Sequence, residues 1–247
     1  MSQTRKEKRL PTAADFPSNL TLSITPAPND QPPTNILILL HGLGDTHLPF
    51  ARLGTQLNLP NTACIAIRGP IALPFEDTSF HWCDDVIFDS TTNGLDPDGG
   101  FKATTRLLKE DIIDHGLLEK CNYRPRDIVF FGLGQGGMAA VNVAASHPKE
   151  FGGVITIGGP LPAAAPASSD PKSKTPVLCV SGVDSHWVTD GAIEKLKNNF
   201  QHVQVSRYKR KGDTMPQSRD EMMPVMQFFA SRLRTPAPRG AVEVGES

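Results

Sequence analysis

Apolar and polar positions alternate along this 247-residue chain in blocks, with short apolar runs separated by longer mixed segments. Most of the short runs are apolar on successive residues, which is typical of parallel strands buried on both faces. Strands alternating with helices predict a doubly wound α/β fold with a mostly parallel sheet and helices on both faces. The predicted strands are Leu20–Ile24, Asn35–Leu40, Ala63–Ile67, Asp127–Phe131, Gly153–Ile157, Pro176–Val180 and His202–Tyr208, and the predicted helices are Lys102–Lys120, Gln135–His147, Asp190–Asn199 and Gln217–Leu233.

The two ends of the chain differ in composition from its middle. Residues 1–18 are mostly polar and charged, and residues 234–247 are rich in proline, glycine and charge. Such segments contain too little apolar surface to fold by themselves. We therefore predict disordered tails at 1–18 and 234–247 around one α/β domain at 19–233, a length that suits a single domain.

The charge balance and the short apolar runs limit the partners of the chain. The formal net charge is -1, from 25 basic and 26 acidic side chains, so no overall field attracts nucleic acid. The run Ile36–Leu40 is far too short for a transmembrane helix, and no apolar signal segment follows the N-terminal basic residues. We expect a cytoplasmic protein, and the N-terminal basic cluster is also compatible with a weak nuclear signal.

Four cysteines are scattered without the close pairing of metal sites or redox motifs. Cys64 and Cys179 lie inside apolar runs, which favours small core residues. The sequence predicts no metal site.

The segment Gly132-Leu-Gly-Gln-Gly136 follows a predicted strand and precedes a helix of small residues. This is the layout of a nucleophile elbow, in which the central residue of G-x-S-x-G is a serine on a strained turn. The central residue here is Gly134, which has no side chain to attack a substrate. The segment therefore indicates either a hydrolase or the frame of one without its nucleophile.

A second glycine-rich turn, Leu40–Thr46, follows the second predicted strand. In α/β-hydrolases the loop after this strand supplies one backbone N–H of the oxyanion hole, and the residue after the nucleophile supplies the other. The expected donors are Leu43 and Gln135. Because both groups belong to the backbone, the glycine at 134 leaves them in place.

These turns and several other segments resemble the acyl-protein thioesterase and phospholipase/carboxylesterase family of serine α/β-hydrolases. The resemblance runs in order from about residue 20 to 233. It implies hydrolysis of carboxylic esters or thioesters by Ser, Asp and His, each in a loop after a strand. The matching segments are His41–Thr46, Arg68–Pro70, Trp82, Asp89, Gly132–Gly137, Val180–Gly182, Ala192–Lys197 and Glu221–Phe228.

By this resemblance, the triad positions of the chain are degenerate. The serine position is Gly134. Counting from Gly182 places Ser185 at the acid position, although a one-residue loop adjustment would bring Asp184 there instead. The base position is Met215, and no histidine follows His202.

The loss of two triad members decides the expected activity. Removing the nucleophile or the base of a serine triad costs on the order of 10⁶ in kcat. A methionine thioether takes no proton near neutral pH. We therefore expect little or no serine-type hydrolysis.

Other residues remain candidates for a nucleophile or for the pocket. Cys83 follows His81 closely enough for a Cys–His dyad, whereas Ser181 has no elbow and Cys179 lies within a strand. His41 is expected mainly to steady the oxyanion loop. The expected pocket residues are His41, Trp82 and His186.

Gly132-x-Gly134-x-x-Gly137 also satisfies the dinucleotide-binding fingerprint G-x-G-x-x-G. That fingerprint requires an acidic residue about 20 positions later, at the end of the next strand. The next predicted strand runs into Ile157-Gly-Gly-Pro160 without one. We therefore expect no cofactor.

Three functions remain open on the sequence. The first is a catalytically dead or impaired thioesterase relative whose pocket binds an acyl chain or lipid. The second is an active ester or thioester hydrolase that uses groups not yet identified. The third is a protein-interaction scaffold with a vestigial pocket, and a homodimer is compatible with each of the three.

Overall fold

The computed structural model of the chain describes residues 7–28, 32–74, 76–90 and 94–235. A seven-stranded sheet in the order β1-β3-β2-β8-β9-β10-β11 forms its centre, with β1 antiparallel and the other strands parallel. This confirms the predicted architecture. The strands of the sheet are β1 Leu22–Thr25, β2 Asn35–Leu40, β3 Thr62–Ile67, β8 Ile128–Leu133, β9 Gly153–Ile157, β10 Val177–Gly182 and β11 Val203–Tyr208.

Helices cover both faces of the sheet, and two short hairpins lie outside it. None of the helices among the described residues is long and apolar enough to cross a membrane. The helices are α1 His47–Leu57, α2 Lys102–Arg106, a π-helix Leu107–Lys120 that continues α2, α3 Gln135–Ser146, α4 Asp190–Asn199 and α5 Arg219–Arg232; the hairpin strands are β4 Ile71–Leu73 with β5 Glu76–His81, and β6 Ile87–Asp89 with β7 Gly94–Asp96.

The continuous apolar strands are explained by two cores, one on each face of the sheet. In β2, Ile36 and Ile38 pack into the core that contains α3, α4 and the π-helix. Leu37 and Leu39 pack into the opposite core, with α1 and α5. Because successive strand residues point to opposite faces, a strand between two helix layers must be apolar at nearly every position.

The parallel strands end at one edge of the sheet and bring four loops together there. Leu40 pairs with Gly132, and Gly182 pairs with Tyr208. The turns after β2, β8, β10 and β11 therefore meet beside each other. This carboxyl edge is where α/β folds generally bind ligands.

Helix α1 and the two hairpins are absent from the sequence prediction. Pro49 and Gly54 within α1 obscured its helical pattern. The helix is nevertheless capped, since the Thr46 hydroxyl accepts a hydrogen bond from the Leu48 N–H at 3.4 Å. A Cβ at position 54 would lie 2.8 Å from the Cβ of Cys64, so this glycine lets α1 approach β3 closely.

Residues 7–18, predicted as part of a disordered tail, instead pack against the domain. Phe16 joins the core beside the π-helix, and Asp15 pairs with Arg9. Lys8 forms an ion pair with Asp127 at 2.8 Å. The charges that suggested a solvated tail are thus used in contacts with the domain, while residues 1–6 lie outside the described residues.

The first residues of the predicted C-terminal tail are also attached. The Arg234 N–H donates to Asn35 Oδ1 at 2.9 Å, and the Arg234 guanidinium lies 3.6 Å from Asp127. The remainder of that predicted tail, residues 236–247, lies outside the described part of the chain. Both ends of the described chain therefore meet at Asp127, beside the start of β8.

Candidate functional site

The turn between β8 and α3 has the backbone of a nucleophile elbow. Gly134 has φ 50° and ψ -116°, a conformation that side-chain-bearing residues rarely adopt. Its N–H donates to Ile157 O at 2.7 Å, and its carbonyl accepts from the Met138 N–H at 3.0 Å. A Cβ built on Gly134 has no heavy atom within 4 Å. The turn therefore has room for a serine that the chain does not supply.

Close packing below the elbow depends on another glycine. A Cβ at Gly136 would overlap the carbonyl oxygens of Leu40 and His41. The absence of a side chain lets the start of α3 lie directly against the end of β2. This contact places the Gln135 N–H beside the turn that follows β2.

A cavity of about 390 Å³ opens above the elbow, at the carboxyl edge of the sheet. Leu43 and Gln135, the expected oxyanion donors, both line it. The Gln135 N–H belongs to the first turn of α3, where N–H groups have no partner within the helix. The lining residues are Leu43, Pro97, Gly134, Gln135, Met138, Gly158, Asp184, Ser185, His186, Trp187, Gly212 and Asp213.

The loops at the acid and base positions are linked by hydrogen bonds, with a serine in the acid loop and an aspartate in the base turn. The Ser185 hydroxyl, at the acid position, donates to Asp213 Oδ2 at 2.6 Å. Asp213 Oδ1 accepts from the Gly182 N–H at 3.0 Å. Asp184 accepts from the Gly212 N–H at 3.0 Å, so its carboxylate is also engaged with the base turn. The connection between the two loops is therefore present without an Asp–His pair.

Asp213 was not among the residues predicted for the site. It stands two positions before Met215, in the turn where the family resemblance predicts a histidine. Its acidic side chain, close to a catalytic position and after a predicted strand, was the available signal. Only the fold shows that this turn lies against the loop after β10.

Met215 lies partly buried against the core formed with α1 and α5, and it is not among the residues that line the cavity. The Arg210 guanidinium donates to the Met215 carbonyl at 3.1 Å and pairs with Glu221 at 3.0 Å. The Tyr208 hydroxyl accepts from the Thr214 N–H at 3.0 Å. These contacts hold the base turn while its methionine packs as an apolar residue.

His41 and Trp82 are fully buried and are not among the residues that line the cavity. His41 Nε2 accepts from the Gly69 N–H at 2.8 Å, so Nδ1 carries the proton that is donated to Gly42 O at 2.7 Å. Trp82 Nε1 donates to His41 O at 2.9 Å, and the Trp82 N–H donates to the Gln135 side chain at 2.7 Å. Burial lowers the pKa of His41, which keeps the ring neutral in this supporting role.

His186, the third expected pocket residue, does line the cavity, together with its neighbour Trp187. The His186 side chain is exposed, and 40% of Trp187 is exposed. These two residues form part of the rim on the side of the acid loop. The remaining lining groups near them are the carboxylates of Asp184 and Asp213.

The alternative nucleophiles do not reach the cavity. Cys83 is buried, and its Sγ donates to Pro97 O at 3.0 Å and accepts from the Gln135 side chain at 2.9 Å. Burial raises the pKa of Cys83 to about 12, so the thiolate required of a nucleophile is not formed near neutral pH. Cys179 and Ser181 are fully buried in β10. A Cys–His dyad is therefore excluded.

Acidic, histidine and cysteine side chains do not gather into a metal site within the described residues. No group of three or more of them is placed to bind an ion there.

Comparisons with known proteins agree with this architecture. A family model described as phospholipase/carboxylesterase matches residues 25–234. An uncharacterized hydrolase of Schizosaccharomyces pombe is 36% identical over 138 residues, which cover 52% of this chain and 54% of that protein. The chain thus spans about half of the length of this curated relative. A probable inactive carboxylesterase of Oryza sativa subsp. japonica is 27% identical over 168 residues, covering 64% of this chain and 67% of that protein.

Solved structures share the fold. The crystal structure of Zea mays acyl-protein thioesterase 2 superposes with a TM-score of 0.64 at 22% identity, covering 87% of this chain and 99% of that chain. At this identity the likeness concerns the fold alone. It confirms the α/β-hydrolase fold predicted from the sequence. Together with the match over residues 25–234, it leads to the assignment: the chain belongs to the phospholipase/carboxylesterase family of α/β-hydrolases.

Proposed function

We propose that this family member binds an acyl chain or another lipid-like ligand in its cavity but has lost hydrolysis by a serine nucleophile. One observation carries the proposal. The elbow retains its backbone geometry at Gly134, with room for a side chain, yet the residue has none. The second loss supports it, because Met215 packs into the core away from the cavity.

The magnitude of these losses supports impaired catalysis. A serine hydrolase without its nucleophile or base loses on the order of 10⁶ in kcat. The oxyanion hole and substrate binding alone leave roughly 10³–10⁴ over the reaction in water. The resemblance to a probable inactive carboxylesterase of rice is in keeping with a family branch of this kind.

The cavity favours a ligand rather than a vestigial site. Its volume of about 390 Å³ falls within the range of small-molecule pockets, about 300–1,000 Å³. Leu43, Pro97, Met138 and Trp187 supply apolar wall, and the Leu43 and Gln135 amides are the groups suited to the ligand's carbonyl or carboxylate. Apolar lining with a few polar groups is the usual composition of such pockets.

Two measurements on the purified protein test the proposal. We expect octanoate to raise the melting temperature with a saturable dependence on its concentration. We expect no stoichiometric burst with p-nitrophenyl butyrate or palmitoyl-CoA, and no labelling by a fluorophosphonate probe, since no activated serine is present. A fluorophosphonate adduct on the parent, or a burst equal to the enzyme concentration, would overturn the loss of serine chemistry.

Engineered variants test whether positions 134 and 215 account for the lost serine reactivity. Gly134→Ser with Met215→His should become reactive toward the fluorophosphonate, because it places a hydroxyl at the elbow and a polar ring that disfavours the core position of Met215 and turns toward the cavity. Gly134→Ala with Met215→His is the matched control, which carries the same histidine without a hydroxyl, and should stay unlabelled. Equal labelling of the two double variants would show that reactivity comes from another residue.

A further inference from the structure

The cavity contains a carboxylate that replaces neither the serine nor the histidine in position but lies beside the elbow. A Cβ at Gly158 would overlap the Cβ of Asp213, so the Asp213 side chain stands directly against the end of β9. The residue before Gly158 is Ile157, whose carbonyl accepts the Gly134 N–H at 2.7 Å. Asp213 and Gly134 both line the cavity. Asp213 and Gly134 therefore contact the same end of β9, and more than 4 Å separates the Asp213 side chain from a Cβ built on Gly134.

The hydrogen bonds of Asp213 fix the direction of its carboxyl group and come from uncharged donors. Gly182 N–H and the Ser185 hydroxyl donate to its two oxygens, one to each. Within the described residues, no ion pair to Asp213 is present. Arg210, in the same turn, pairs with Glu221. A carboxylate has about four lone-pair sites, so each Asp213 oxygen retains acceptor capacity toward the cavity.

Room for a water molecule exists where a serine hydroxyl would otherwise lie. A Cβ on Gly134 meets no heavy atom within 4 Å, and the position faces the same cavity as the Leu43 and Gln135 amides. If these amides held the carbonyl oxygen of a ligand, the open space at Gly134 would lie beside its carbonyl carbon.

We propose that Asp213 acts as a general base for slow hydrolysis of an activated ester or thioester by water, without a covalent intermediate. The inference rests on the proposed binding of acyl ligands in this cavity. The water oxygen forms a bond to the carbonyl carbon while its proton passes to Asp213. The carbonyl oxygen becomes the oxyanion held by the Leu43 and Gln135 N–H groups. Collapse breaks the bond to the leaving oxygen or sulfur, which takes the proton from Asp213, and the products are the free acid and an alcohol or thiol.

Two other groups in the cavity are less suited to this role. The Asp184 carboxylate accepts from the Gly212 N–H, and the residue is exposed. His186 is also exposed and lies at the rim. Asp213 is partly buried and bonded on both oxygens, which holds it in one place next to the elbow.

The test compares hydrolysis of p-nitrophenyl octanoate by the parent, Asp213→Asn and His186→Ala. The parent should exceed the buffer rate without a burst, and Asp213→Asn should lose on the order of 10²-fold, the lower end of general-base catalysis. His186→Ala, at the cavity rim, should lower the rate less than Asp213→Asn does.

Three comparisons separate a catalytic from a structural effect. Gly134→Ala should also lower the rate, because its methyl group fills the space of the attacking water. Asp77→Asn, the same chemical change at an exposed position of β5, should leave the rate unchanged. Octanoate binding by Asp213→Asn, measured by thermal shift, should be at least as strong as that of the parent, since a like charge is removed from the cavity.

The outcomes distinguish this inference from the proposed function. Octanoate binding together with a parent rate equal to buffer, or an unchanged rate in Asp213→Asn, would overturn the role of Asp213 and leave ligand binding standing. Loss of the rate in His186→Ala alone would assign the base to His186 instead. Absence of octanoate binding by the parent would overturn the proposed function itself.

Discussion

Replacing Asp127 with asparagine should destabilise the domain strongly, because one buried carboxylate holds three cationic side chains. Asp127 is fully buried. Lys8 lies 2.8 Å from its carboxylate, Arg124 lies 3.3 Å away and Arg234 lies 3.6 Å away. The Arg124 N–H also donates to it at 2.9 Å. Asparagine keeps the shape and this last hydrogen bond but removes the charge.

The expected loss of stability depends on how deeply Asp127 and its three cationic partners are buried. Removing one partner of a buried ion pair typically costs about 3–5 kcal/mol, since the other charge is left without compensation. Lys8, Arg124 and Arg234 are each 23–38% exposed in their side chains and can turn toward water, which places the value at the lower end. We expect about 3 kcal/mol, or a fall in the melting temperature of roughly 6–12 °C for a domain of this size.

Urea unfolding followed by tryptophan fluorescence measures this change. Asp127→Asn should lower the transition midpoint with the slope unchanged. Lys8→Met is the matched partial variant, because it removes one of the three cations and keeps its apolar stem, and it should cost about 1 kcal/mol. A free energy of unfolding for Asp127→Asn within about 0.5 kcal/mol of the parent value would refute the reasoning.

The pH dependence of stability gives an independent check. Burial acts to raise the pKa of Asp127, but hydrogen bonding and charge from Lys8 and Arg124 outweigh it and hold the pKa below its usual range. A carboxyl whose pKa is lower in the folded chain stabilises it fully above the unfolded value, about 3.9, and the contribution is lost as pH falls through the folded pKa. The difference between parent and Asp127→Asn should therefore be constant near neutral pH and shrink below about pH 4.

Further substitutions test the site's frame. Gly136→Ala should destabilise the protein by several kcal/mol, since its methyl group would overlap the backbone at His41. Gly134→Ala has open space around the new methyl group and should cost only about 1 kcal/mol of backbone strain. Thermal melts of the two variants measure this difference. Cys83 should react with an aromatic disulfide reagent only after unfolding, because it is buried with a pKa of about 12, and fast labelling of the native protein would contradict its burial. Trp82→Phe should cost about 1–3 kcal/mol, as it leaves the carbonyl of His41 without its donor, and an unchanged urea midpoint would argue against that hydrogen bond.

The sheet was predictable because its strands are apolar on nearly every residue. All seven predicted strands are present, and each predicted strand end lies within two residues of the observed one. Local sequence was less informative for α1, where Pro49 and Gly54 disrupt the helical pattern. Gly54 is explained only by its contact with β3, which the periodicity of the helix itself does not reveal.

In the site, too, local sequence features were predictable and contacts between different loops were not. Gly134, Leu43 and Gln135 were identified because the elbow and the oxyanion turn are local sequence features, and the structure places all three at one cavity. Asp213 was missed because its position depends on how two loops after different strands approach each other. The attachment of Lys8 was missed because its partner, Asp127, is distant in sequence and charged residues near a terminus are usually solvated.

The hydrogen bond between Ser185 and Asp213 also bears on the evolutionary history of the site. If an ancestor carried a carboxylate at position 185, the reversal Ser185→Asp would now set two carboxylates in direct contact, because the Ser185 hydroxyl already touches Asp213. Like charges in contact disfavour the folded loops, so the reversal is tolerated only after a change at Asp213. Ser185→Asp should therefore restore a stable acid position only together with a change at Asp213.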